Sequence, residues 1–205
     1  MAATLHPIST PTPNPVTRPL REKRNSQKAK VIWLYGLSGA GKSTLAQALD
    51  ERLYSRGYAS YVLDGDIIRT GLCKGLGFSP EDRSENLRRS AEVARLFADA
   101  GLIVLCAFIT PTRHLRAMIR DIIGADLIEV FVDASFETCS HRDTKGLYKR
   151  AAQGQISQFT GSTAPFERPS APDIVINTEV QDLAASLEIL LSRVLPLISP
   201  VGPSP

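Results

Sequence analysis

A short apolar run, Val31–Tyr35, leads directly into Gly36-Leu37-Ser38-Gly39-Ala40-Gly41-Lys42-Ser43. The stretch that follows, Lys42–Ser55, carries Leu45, Leu49 and Leu53 at helical spacing. Strand, glycine-rich turn and helix in this order match the phosphate-cradling pattern G-x-x-x-x-G-K-[ST]. Glycines let consecutive backbone N–H groups turn inward around phosphate oxygens without Cβ clashes, and the helix N-terminus adds partial positive charge. The pattern predicts a nucleoside triphosphate site in which Gly36, Ser38, Gly39, Ala40 and Gly41 shape the loop. Lys42 is expected to reach the β- and γ-phosphates, Ser43 to offer its hydroxyl to Mg²⁺, and Thr44 to donate to the α-phosphate. By itself this motif does not separate kinases, GTPases and motor ATPases. There is no N-K-x-D guanine signature, and no strand ends in an apolar run with a single Asp and a water-positioning partner, which favours a small-molecule kinase.

Further apolar runs follow at Tyr61–Asp64, Leu102–Phe108, Leu127–Val132 and Asp173–Ile176. Most are not polar at alternate positions, as expected of strands covered on both faces in a parallel sheet. Between them, Arg83–Ala100 and Leu183–Leu195 have helical periodicity. Strand–helix alternation with right-handed crossovers predicts an α/β, three-layer P-loop kinase fold around a mostly parallel five-stranded sheet. The domain is expected over residues 31–195, preceded by a mobile basic leader (1–30) and followed by a flexible tail (196–205). Residues 143–171 have little apolar periodicity but contain Tyr148, Phe159 and Phe166, and read as an active-site lid.

The chain's 24 Lys+Arg and 21 Asp+Glu are unevenly placed: residues 1–30 hold six bases and one acid, leaving the remainder slightly acidic. A body of that sign is not built to coat nucleic acid. The longest apolar run, Leu102–Ile109, is far short of the ~20 residues of a spanning helix, which argues against a membrane protein. Cys73, Cys106 and Cys139 form no C-x-x-C pair and read as reduced thiols of a cytoplasmic protein. The N-terminus has no apolar signal-peptide core; its acid-poor, Ser/Thr/Pro-containing composition also fits an organelle transit peptide.

The second strand ends in Leu63-Asp64-Gly65-Asp66, at the sheet edge where parallel α/β folds bind ligands. Two carboxylates there can face a γ-phosphate and its metal. Asp66 is the expected base for an acceptor hydroxyl, and Arg69, one turn on, suits an acceptor anion. Ser79-Pro80 with Asp82 three residues later marks a helix start, which places Arg83 and Asn86 on one helical face. An arginine fork beside a neutral amide suits phosphate, sulfate or ribose.

Taken in order, Gly36–Ser43, Asp64–Asp66, Gly77–Arg83 with Glu85-Asn86, Phe97–Gly101, Phe108–Pro111, Arg142–Lys149 and Phe159–Gly161 resemble adenylyl-sulfate (APS) kinases over roughly residues 31–195. The resemblance implies transfer of the γ-phosphate of MgATP to the 3′-hydroxyl of adenylyl sulfate. It implies Asp66 nearest that hydroxyl and beside the metal with Ser43. Asp64, Arg69, Arg83 and Asn86 would hold the acceptor, Phe78 and Phe159 would sandwich its adenine, and Ile109 and Thr110 would line its pocket. Lys145 would approach the transferring charge and Arg142 the ATP base. It further implies a homodimer and a possible sulfurylase partner. Ile67, Thr110, Thr144 and Phe166 depart from the family's usual Asn, Ser, Pro and Tyr. Kinase action on another small hydroxyl acceptor, or non-catalytic nucleotide binding, are the other readings.

Overall fold

A computed structural model describes residues 15–156, 159–162 and 164–200. Its sheet consists of β1 (Val31–Tyr35), β2 (Ser60–Asp64), β3 (Ile103–Phe108), β4 (Leu127–Asp133) and β5 (Ile174–Asn177). The strand order is β2-β3-β1-β4-β5, and all four pairings are parallel. The central strand β1 is buried at every position, as its unbroken Val-Ile-Trp-Leu-Tyr sequence requires. Its residues alternate between two cores. Ile32 and Leu34 face a cluster with Leu45, Leu49 and Leu53 of α2 (Lys42–Tyr54) and Leu187, Leu190, Leu191 and Val194 of α8 (Leu183–Ile198). Val31, Trp33 and Tyr35 face the other side. There α4 (Pro80–Asp99) contributes Leu87, Ala91 and Ala94, and α5 (Arg113–Ile123) contributes Leu115, Ile119 and Ile123. Each fully buried Leu or Ile contributes about 1.5–3 kcal/mol, so both helical layers are needed to keep the two faces of the sheet from water.

Two expectations about the chain's ends change. The segment assigned to a mobile leader contains helix α1 (Arg18–Asn25) and docks on the N-terminal ends of the strands. Arg18 pairs with Asp126 ahead of β4, and the buried Gln27 amide bonds the carbonyls of Ala59 and Gly101 ahead of β2 and β3. Gly101, at φ 85°, leaves room for this: a Cβ there would lie 2.8 Å from Cβ of Arg21. Docking by polar side chains leaves no apolar stripe in the sequence, and α1 buries none of its residues. At the other end α8 runs to Ile198, which is fully buried and accepts a hydrogen bond from the Lys28 amide, so the domain closes beyond residue 195. Residues 1–14 and 201–205, where the start of the transit-peptide reading and half of the expected tail fall, lie outside the described residues.

Candidate active site

Immediately after β1, Gly36 makes the close approach the loop depends on. A Cβ there would come within 2.3 Å of the Val132 carbonyl oxygen, so a side chain would push the loop off the sheet. Gly36 and Ala40 are buried beneath the loop, while Ser38, Gly39, Gly41, Lys42, Ser43 and Thr44 face a cleft of about 1230 Å³. The Lys42 side chain is buried, and its Nζ donates to the Leu37 carbonyl at 2.7 Å. Burial pushes its pKa down to about 8, with the nearby Lys145 charge adding to the effect. The Tyr148 hydroxyl donates to the Ser38 carbonyl at 2.8 Å and pins the loop from the side.

Across the loop lies the carboxyl end of β2. Asp64 caps α3 (Gly65–Thr70) by accepting the Asp66 amide, and its other oxygen accepts the Ser43 hydroxyl at 2.5 Å. The carboxylate beside Ser43 is therefore that of Asp64. Asp66 turns its carboxylate to Lys145, with which it forms an ion pair. At the N-cap, Asp64 points back toward the loop, while Asp66 lies in the first turn of α3 and lines the cleft.

The far wall is built by α3, α4 and the segment between them. Arg69 donates to the Leu76 and Gly77 carbonyls, and its guanidinium lies 4.5 Å from the ring centre of Phe78. Arg83 donates to the Phe78 carbonyl and to the Thr160 hydroxyl. Asn86 is 4% exposed, and its Nδ2 has no partner among the described residues. Phe78 is 60% exposed and Phe159 only 6%, yet both line the same cleft, as does Ile109. Ile67 and Thr144, two of the departures from the family pattern, line it too. Thr110 does not. It is fully buried, its hydroxyl accepting from the Trp33 indole at 2.9 Å, because a buried indole N–H needs an acceptor. That expectation is corrected.

The described residues of segment 143–171 include a helix with its own start signal. The Asp143 carboxylate accepts the amides of Tyr148 and Lys149, starting α7 (Leu147–Ala152). The Tyr148 ring then packs edge-on to both Phe136 and Phe159, which fixes Phe159 at the cleft. Arg142, at the end of α6 (Phe136–Arg142), donates to Gly39 and to both the hydroxyl and the carbonyl of Thr178. Thr178 in turn donates to the Ala40 carbonyl, tying the end of β5 to the loop. Tyr148 enters the sequence reading only as one of the aromatics of the expected lid, and Thr160 and Thr178 are given no role there. Tyr148 and Thr160 lie within the stretches that carry the family resemblance, but nothing in the sequence signals Thr178.

A parallel sheet whose first strand feeds a phosphate cradle, with a carboxylate pair and a basic, aromatic-walled acceptor side opening on one cleft, defines a P-loop phosphotransferase. The family model for adenylylsulphate kinase matches residues 28–177, and the chain belongs to that family. An adenylyl-sulfate kinase of Marinobacter nauticus is 51% identical, over 86% of this chain and 89% of its own. The structure of a Mycobacterium tuberculosis APS kinase in complex with AMPPNP and APS superposes with TM-score 0.79 at 40% identity, covering 82% of this chain and 98% of that one. A hexameric APS kinase from Thiobacillus denitrificans gives TM-score 0.62 at 29% identity, over 84% of this chain and 30% of that one.

Proposed function

We propose that this protein transfers the γ-phosphate of MgATP to the 3′-hydroxyl of adenylyl sulfate, yielding ADP and 3′-phosphoadenylyl sulfate. The observation that carries the reading is that the phosphate loop, Asp66 with Lys145, and the Arg69–Phe78–Arg83–Asn86 wall open onto one cleft. Loop amides and Lys42 hold the triphosphate, with Arg142 beside its base. The orphan Nδ2 of Asn86 and the two guanidiniums meet the acceptor's phosphosulfate and ribose oxygens. A purine between Phe78 and Phe159 gains about 1–3 kcal/mol per stacked face. Asp66 takes the 3′-hydroxyl proton as that oxygen attacks the γ-phosphorus and the bond to the ADP oxygen breaks. For that to happen Lys145 must leave the Asp66 carboxylate, and the transferring phosphoryl oxygens are the acceptors it would move to. The segment 143–171 acts as a lid that excludes water during this exchange.

The Ser43 hydroxyl and Asp64 carboxylate, hard oxygen donors side by side, fit a Mg²⁺ whose remaining ligands are water and phosphate oxygens. When bound, that ion neutralises charge building between the β- and γ-phosphates. A homodimer, a cytoplasmic location and an adenylyl-sulfate-forming sulfurylase as supplier belong to the same proposal. Among the described residues no helix is long and apolar enough to cross a membrane.

The test is an assay with MgATP and adenylyl sulfate, following 3′-phosphoadenylyl sulfate by chromatography, with other hydroxyl acceptors in parallel. Product from adenylyl sulfate supports the proposal. Turnover confined to another acceptor, or ATP binding with no turnover, refutes it. Light scattering of the same sample tests the dimer.

A further inference from the structure

The lid meets the rest of the domain at two ends, and its rear end is held by a residue outside the cleft. Glu167 is clamped at three points. Its amide donates to the Pro111 carbonyl at 2.8 Å, its carboxylate accepts the Arg113 amide at 2.6 Å, and its carbonyl accepts from the Arg116 guanidinium at 2.9 Å. The same guanidinium donates to the Thr110 carbonyl at 3.0 Å and lies 5.4 Å from the ring centre of Tyr35. Arg116 is 5% exposed and does not line the cleft. A guanidinium that bridges two backbone carbonyls from within the domain joins two segments through two nitrogens in one rigid plane, where an ammonium has a single nitrogen at the end of a flexible stem.

Both segments lead to residues that line the cleft. One is the turn after β3, whose Phe108 and Ile109 line the cleft and whose Thr110 is anchored by Trp33. The other leads back through the Thr160–Ala164 bridge to Phe159 and Thr160, the latter bonded to Arg83 on the acceptor wall. We propose that Arg116 is a positioning residue: by holding Glu167 to the Thr110–Pro111 turn, it fixes the lid's rear hinge and so the gap between Phe159 and the acceptor wall. It touches neither substrate. Its influence falls on the acceptor side, because the phosphate loop is held separately, by Gly36 on the sheet and by Arg142 and Thr178 at its far flank.

This inference rests on the proposed reaction, and the wild-type enzyme separates the two: wild-type protein inactive on adenylyl sulfate refutes the reaction. With an active wild type, Arg116→Lys and Arg116→Met are compared by steady-state kinetics and amide hydrogen exchange. The expected result is a KM for adenylyl sulfate raised about tenfold or more, with KM for ATP within twofold and kcat within threefold. Exchange is expected to quicken at residues 108–116 and 164–170 while α2 and the phosphate loop stay protected. Both KM values moving together, uniform loss of protection, or unchanged acceptor KM overturns the proposal. If Arg116→Met does not fold, Arg116→Lys, which keeps the charge and most of the stem, still discriminates through the same kinetic and exchange measurements.

Discussion

Lys42 is the residue whose replacement gives the most informative result, because its effects on stability and on binding have opposite signs. Its ammonium is buried and held at about 8, against an ordinary 10.5. A group whose folded value lies below its unfolded value destabilises the protein wherever the unfolded chain holds the proton more firmly. At pH 7 that difference is worth about 3 kcal/mol, at roughly 1.4 kcal/mol per pH unit. The destabilisation is fully present below about pH 8 and fades as pH rises toward 10.5. Lys42→Met keeps the stem and removes the charge. It also loses the hydrogen bond to Leu37, worth about 1 kcal/mol, and the Leu37 carbonyl keeps the Ala40 amide as a donor.

The ligand-free variant is therefore expected to be more stable than wild type at pH 7 by about 2 kcal/mol, or about 4–8 °C in Tm for a domain of this size. Differential scanning fluorimetry at pH 7 and pH 9.5 measures it: the advantage is expected to shrink at the higher pH, while ATP no longer raises Tm of the variant. A Lys42→Met protein less stable at pH 7, or one whose advantage does not change with pH, would refute the burial argument. For wild type the same ammonium makes ATP binding take up a proton above about pH 8, so kcat/KM for ATP is expected to fall there.

Asp66→Asn keeps the shape of the cleft and removes the base, so kcat is expected to drop about 10²–10⁴-fold with ATP affinity retained, read by product formation and by calorimetric titration. Gly36→Ala drives a methyl into the Val132 carbonyl and is expected to cost about 2–4 kcal/mol in urea unfolding, with ATP binding lost in what remains folded. Tyr148→Phe leaves the aromatic stack and removes the bond to Ser38; a loss of about 1 kcal/mol and faster proteolysis within residues 143–171 are expected.

How much of the molecule was legible in the sequence follows from how each part is held. Strands β1 and β3 are unbroken apolar runs, β4 is interrupted only by Glu129 before its closing Asp133, and the sequence marks all three to within a residue or two. Helices α2, α4 and α8 show their stripes because one long face is buried. Helix α5 has the same signal in Leu115, Ile119 and Ile123, with Thr112 as its cap, and it was there to be read. Helix α1 buries none of its residues and is docked by Arg18 and Gln27, while α7 packs Leu147, Tyr148 and Ala151 on the core but is only six residues long, so periodicity is silent about both. The phosphate loop is legible because its chemistry is contiguous. Thr178 is not, since its partners Arg142 and Ala40 come from distant parts of the chain. Thr110 was misplaced because a short motif names a residue without saying which way it faces. Trp33, on the neighbouring strand, decides that.

The cations of the cleft follow a rule that explains how a domain of nearly balanced charge can take two polyanionic ligands. Lys42, Arg69, Arg83, Arg142, Lys145 and Arg150 line the cleft, and Asp64 and Asp66 are the acids among the described residues that line it. Its local charge is therefore more positive than that of the surrounding body. Such a concentration of one sign raises the local density of anionic ligands and speeds their arrival. Lys42, Arg69, Arg83 and Arg142 are each oriented by backbone carbonyls, which fix direction without cancelling charge. The site is thus preorganised for anions and loses little when they bind. Lys145 differs: it is held by a carboxylate, that of Asp66, which is the base in the proposed reaction. Because the ion pair is exposed, it contributes little stability, on the order of 0–1 kcal/mol. A phosphoryl group carrying several charges is a stronger competitor for the ammonium. In the proposed reaction, binding of both substrates would draw Lys145 onto the phosphoryl group and free Asp66, so that the base is available when there is a phosphoryl group to transfer.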